Sequence, residues 1–139
     1  MKRRGVKVVN QRKSWDCGIA CLAMIVGKPY GDVAAFAREL LAEGLLDERR
    51  VHRRGLVIEE MQWIADGFGV ALKPVARSVD YLVGRSGILG MLGGEMDPAG
   101  HWVVLKCGVV VDPDGSEVWS VEDYTTRTKA RTVTLLLES

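Results

Sequence analysis

At residue 17 the chain changes from polar and basic positions to an almost unbroken apolar run, Cys17-Gly18-Ile19-Ala20-Cys21-Leu22-Ala23-Met24-Ile25-Val26. A segment that is apolar on every side predicts a buried helix, and Gly27-Lys28-Pro29 stops it because proline cannot continue the amide ladder. Val33, Phe36, Ala37, Leu40 and Leu41 recur at helical spacing and predict a second helix over about 32–42, with Asp32 as N-cap and Gly44 at its end. A third helix is predicted over about 57–66 from Ile58, Met61, Trp63, Ile64 and Ala65, broken by Gly67 or Gly69. The charge-rich stretch over 45–55 reads as irregular. From residue 70 the period shortens. Extended segments are predicted at about 70–75, 87–92, 102–105, 109–111, 117–121 and 132–137, with a helical turn near 79–83 and a short strand or arm at 7–10. Helices first and antiparallel strands second make an α+β domain, N-terminal helices packed on a C-terminal antiparallel sheet, with 1–139 as one domain.

Composition narrows the class. With 47% hydrophobic and 27% charged residues, the chain has the balance of a soluble globular protein and not of a disordered one. A formal net charge of +1 removes the whole-protein case for a nucleic-acid partner. The basic clusters Lys2-Arg3-Arg4 and Arg49-Arg50 with Arg53-Arg54 are local, and the second lies beside Asp47 and Glu48 as a solvated turn. Three cysteines do not form a disulfide framework, and Cys17 and Cys21, one helical turn apart, are badly placed to bond to each other. The apolar stretch at 6–9 is too short for a signal-peptide core, and nothing approaches the roughly eighteen apolar residues of a membrane span. The expectation is a cytoplasmic protein with no membrane segment.

Against that background Cys17 is the first candidate for chemistry. It stands at the N-terminus of the first helix, where unpaired amides and a macrodipole of roughly half a positive charge favour the thiolate, the nucleophilic form. Cysteines on apolar helices are otherwise small core residues, the reading given to Cys21 and Cys107. Gly18 lets a substrate backbone approach closely, and Gln11 can aim a side-chain amide at the same spot.

A second group answers the first. His101 opens the segment His101-Trp102-Val103-Val104-Leu105, Lys106-Cys107-Gly108 reverses the chain, and Val109-Val110-Val111 returns to Asp112. A hairpin centred between Lys106 and Cys107 sets His101 directly opposite Asp112; a three-residue loop ending at Gly108 shifts that register. A carboxylate bonded to one imidazole nitrogen fixes the ring and frees the other nitrogen to exchange a proton with a thiol and a leaving amine. Asp114, in a Pro-Asp-Gly turn, is the alternative orienting residue, and His52 has no comparable context. Such chemistry needs no cofactor. A metal set of Cys17, Cys21, His101 and Cys107 has one ligand-like spacing, so no metal is expected.

The stretches QRKSWDCGIACLAMI, GHWVVL and VVDPDG resemble the C39 family of papain-like cysteine peptidases, bacterial domains best known for removing double-glycine leader peptides from bacteriocin precursors. The resemblance implies a papain-like fold and a peptide or protein substrate cleaved after Gly-Gly. It implies Cys17 as nucleophile, His101 as base and acid, and Asp112 as the residue orienting His101. Gln11 and the backbone amide of Cys17 then form the oxyanion hole, while Asp16 caps the helix. Such domains usually precede an export ATPase; with the sequence running to Ser139, a stand-alone enzyme is the expectation. Two alternatives keep the fold: a non-catalytic peptide-binding module, and an acyltransferase using the same acyl-enzyme. Leu92-Gly93-Gly94-Glu95 reads as a loop before the His101 strand and not as an internal cleavage site.

Overall fold

The structure, a computed structural model, describes residues 17–46, 55–75, 85–92, 101–113, 118–129 and 131–138. The first helix, α1 (Cys17–Val26), is the one its composition requires, with every residue from Cys17 to Ile25 buried. It packs against both following helices and against the sheet. Gly27, at φ 71°, turns the chain out of it while the amides of Gly27 and Lys28 close on the Ala23 carbonyl at 3.0 and 3.2 Å.

Helix α2 (Tyr30–Ala42) begins two residues earlier than its apolar spacing suggests. Pro29, at φ −60° and ψ 148°, is its N-cap, and the Pro29 carbonyl takes the amides of Asp32 and Val33. Asp32 therefore lies in the first turn, where its charge still favours the helix dipole, and does not cap. Helix α3 (Ile58–Gly67) matches its expected span to one residue, and the Val57 amide donates to the Glu60 carboxylate at 2.9 Å.

Among the described residues six strands follow: β1 (Leu72–Pro74), β2 (Gly87–Leu92), β3 (His101–Lys106), β4 (Val109–Val111), β5 (Val118–Ser120) and β6 (Arg131–Glu138). They form one antiparallel sheet in the order β1-β6-β2-β3-β4-β5. Between β5 and β6 lies a further helix, α4 (Val121–Thr128), where the residue pattern predicts only the end of a strand. The fold class is α+β.

Alternation along the strands sends side chains to two cores. Ile88, Val104, Val111 and Leu136 join α1, α2 and α3 on one face of the sheet. Leu89, Val103, Leu105, Val110, Leu135 and Leu137 pack on the other, around Tyr124 of α4. Strand β3 is thus held from both sides, which fixes the position of its first residue, His101. Among the described residues no single helix is long and apolar enough to cross a membrane. The arm at 7–10 and the turn at 79–83 lie outside the described residues, as does most of 45–55.

Candidate active site

Cys17 and His101 come from opposite layers. By alternation His101 belongs with Val103 and Leu105, on the α4 side of the sheet, whereas α1 lies on the other. They meet because both are terminal: Cys17 opens α1 and His101 opens β3. The amide of the next strand residue, Trp102, donates to Cys17 Sγ at 3.5 Å, joining positions 85 apart in the chain. Trp102 is itself fixed by its indole N–H, which donates to the Leu56 carbonyl at 2.9 Å.

The hairpin that carries Asp112 differs in register from the one centred between Lys106 and Cys107. Its loop is the two residues Cys107 and Gly108, with φ 49° and 83°, and Lys106 pairs with Val109. Two consecutive positive φ values define the type I′ reversal, whose twist suits the flanking strands. Continuing this register sets Asp112 opposite Val103, so Asp112 lies diagonally from His101 instead of directly across. The shift is an even number of positions, so both side chains stay on one face. A diagonal pair lies roughly 7–8 Å apart at the backbone, within reach of an imidazole and a carboxylate. His101 Nε2 and Asp112 Oδ1 are 2.6 Å apart.

Asp112 has a second partner that the residue pattern did not single out. The Tyr124 hydroxyl donates to Asp112 Oδ2 at 2.5 Å. Tyr124 is buried at the centre of α4, edge-on to Trp119 with ring centroids 6.5 Å apart. A signal for it was present: Ser120-Val121-Glu122-Asp123 has the spacing of a helix start, and the Ser120 hydroxyl accepts from the Asp123 amide at 3.1 Å. The aromatic residue after it is the one such a short helix needs as an anchor.

The electrostatics follow from this geometry. Burial alone lowers the pKa of the His101 ring, but the hydrogen bond to Asp112, the hydrogen bond with Cys17 and the negative charge of both raise it from 6.5 to about 10. With Nε2 bonded to the carboxylate, Nδ1 is the nitrogen left for proton exchange. Cys21, one turn further into α1, is 0% exposed against 7% for Cys17, and burial together with the charges of Cys17 and Asp112 pushes its thiol well up. Cys21 is therefore an inert core thiol. Cys107 is exposed in the hairpin loop.

Gly18 has a different use from the expected one. A Cβ there would sit 3.0 Å from Met61 Sδ, 3.2 Å from Leu56 Cδ1 and 3.4 Å from Trp102 Cδ1. The space is filled by the protein's own side chains, so this glycine lets α1 approach α3 and Trp102 and is no opening for a substrate backbone. Gln11, Asp16, His52, Gly93-Gly94-Glu95 and Asp114 lie outside the described residues. Among the described residues no group of three or more His, Cys, Asp or Glu side chains is placed to hold a metal ion.

A sequence profile of the Peptidase C39 family matches residues 5–107, well over half of the chain. The chain belongs to the peptidase C39 family. The C39 match spans Cys17 and His101 and ends before Asp112, whose place in the site is a matter of geometry. Among solved structures the chain is similar to a double glycine motif protease from an AMS/PCAT transporter, crystallised in complex with the leader peptide. The TM-score is 0.57 at 18% sequence identity, covering 99% of this chain and 94% of that one. That likeness shows the fold, including the C39 arrangement of helices against an antiparallel sheet. No curated protein sequence matches the chain.

Proposed function

We propose that this C39 family member is a cysteine peptidase that hydrolyses a peptide bond through an acyl-enzyme on Cys17. The observation that carries the reading is the placement of one imidazole, His101, between a carboxylate 2.6 Å away and the Cys17 sulfur. The raised pKa of His101 keeps the ring protonated at neutral pH, so an acid stands beside the Cys17 sulfur, ready for the leaving amine.

The Cys17 thiolate attacks the scissile carbonyl carbon, and the π electrons move onto oxygen. The Cys17 amide is one donor for that oxyanion, and Gln11, by family resemblance, is the other. Collapse breaks the C–N bond while the His101 imidazolium gives its proton to the departing amine, leaving a thioester. His101, now neutral, removes a proton from water; the hydroxide attacks the thioester, the C–S bond breaks, and thiolate and imidazolium are restored. Asp112 holds the ring at Nε2 throughout. Cleavage after Gly-Gly in a leader peptide is the substrate preference the reading favours, in keeping with the double glycine motif protease that shares the fold.

The test is a peptide-library digestion with wild type and Cys17→Ala in parallel. Cleavage by the wild type alone, enriched after Gly-Gly, supports the reading. Full activity of Cys17→Ala, or no cleavage by either protein, contradicts it, and a ligated product assigns the same acyl-enzyme to transfer instead.

A further inference from the structure

We infer that Tyr124 is a positioning residue of the catalytic centre: its hydroxyl clamps the second oxygen of Asp112 and so fixes the carboxylate that orients His101. The inference rests on the peptidase reading and goes beyond it by assigning a role to α4, a helix on the far side of the sheet from the nucleophile.

The geometry points to function more than to packing. A buried tyrosine places its ring for the core and its hydroxyl wherever a partner is available. Here the hydroxyl meets the carboxylate that touches the histidine, at the oxygen the ring does not use. With Oδ1 on His101 Nε2 and Oδ2 on Tyr124, at 2.6 and 2.5 Å, the carboxylate cannot turn about its Cβ–Cγ bond without stretching one of two charge-assisted hydrogen bonds. Asp112 sits just past the end of β4. Its Oδ2 is met by Tyr124 of α4, a helix whose first turn is closed by Ser120, and the Tyr124 ring stacks edge-on against Trp119. Removing the hydroxyl keeps the ring in its core and takes away its hydrogen bond to the carboxylate.

The consequence for His101 has a definite sign. Among the described residues, the titratable groups acting on the ring are Asp112 and Cys17, and Cys21 of α1 feels both of these. A carboxylate that is free to rotate supports the imidazolium less, so the ring releases its proton at lower pH.

The chain has two histidines, so the ring protons of His101 are assigned by comparison with His52→Gln. In Tyr124→Phe the NMR titration midpoint of His101 moves down by about one unit, and kcat on a peptide cleaved by the wild type falls roughly tenfold with KM little changed. In an Asp112→Ala background the same substitution has no further effect on either quantity, because Tyr124 acts only through that carboxylate. An unchanged His101 midpoint with wild-type kcat, or an effect that adds in full to Asp112→Ala, overturns the inference. A fall in activity with lower thermal stability but an unmoved midpoint also overturns it, since that is the signature of packing alone. Should Tyr124→Phe not fold, the wild type decides: with three tyrosines to label selectively, a protected downfield hydroxyl proton on Tyr124 supports the clamp, and its absence overturns it. Wild-type activity of Cys17→Ala defeats the peptidase reading itself; an inactive Cys17→Ala beside a wild-type-like Tyr124→Phe defeats only this inference.

Discussion

His101 is held by two kinds of support that mutation can separate. Asp112 offers Nε2 an acceptor, which fixes orientation, and a negative charge, which favours the imidazolium. Asp112→Asn keeps an acceptor oxygen and loses the charge, whereas Asp112→Ala loses both, and with them the acceptor that Asp112 offers the Tyr124 hydroxyl. Cleavage should therefore fall by roughly 10²- to 10⁴-fold in Asp112→Ala and by less in Asp112→Asn, whose activity also fails at lower pH because His101 deprotonates sooner. Steady-state kinetics across pH check this order. Equal, pH-independent losses would show that charge plays no part. At this scale the meeting of Cys17, His101 and Asp112 was legible in the sequence. A cysteine where an apolar helix begins and a histidine where a strand begins are both recognisable from pattern, and even the one-face relation to Asp112 survived an error in register. Gly18 was not so legible, because whether its missing side chain makes room for a substrate or for Met61, Leu56 and Trp102 depends on how α1 docks.

At the scale of elements, long periodic segments revealed themselves and short ones did not. Helix α1 and strands β2 to β4 were read within a residue or so of their ends, since their apolar runs can satisfy nothing else. The β3–β4 loop was misplaced by one residue because cysteine is an unusual occupant of a left-handed position, so Cys107 did not announce the turn. Helix α4 was missed because Thr125, Thr126 and Thr128 are poor helix formers; its stability comes from the Ser120 cap and the buried Tyr124. The loop yields a prediction. Cys107→Asn creates the Asn-Gly pair that type I′ reversals favour, and the only side chain lost is exposed. The Cys107 amide, which donates to the Ser86 hydroxyl at 3.1 Å, is unaffected. Stability should rise by about 0.5–1 kcal/mol, seen as a melting temperature a few degrees higher with activity unchanged. A lower melting temperature would contradict the turn geometry.

For the molecule as a whole, the site forms only when both cores form. One layer supplies the sulfur and the other supplies imidazole, carboxylate and phenol, with β3 as the shared wall. Stability and site electrostatics are therefore linked. The His101 ring ionises near 6.5 when unfolded and near 10 when folded, so the folded state binds the extra proton between those values. Its contribution is complete below about pH 6.5 and is lost as pH rises toward about 10. Melting temperature should fall more steeply over that window in the wild type than in His101→Gln; parallel curves would show that the folded ring titrates normally. The pairing of Cys17 with His101 is tested most directly by the rate at which iodoacetamide alkylates each cysteine near neutral pH, followed by peptide mass spectrometry in the Cys107→Asn background. Cys17 should be modified at least about tenfold faster than Cys21, with that advantage lost in His101→Gln. Slow, equal labelling of the two thiols, or a Cys17 rate indifferent to His101, would contradict that pairing.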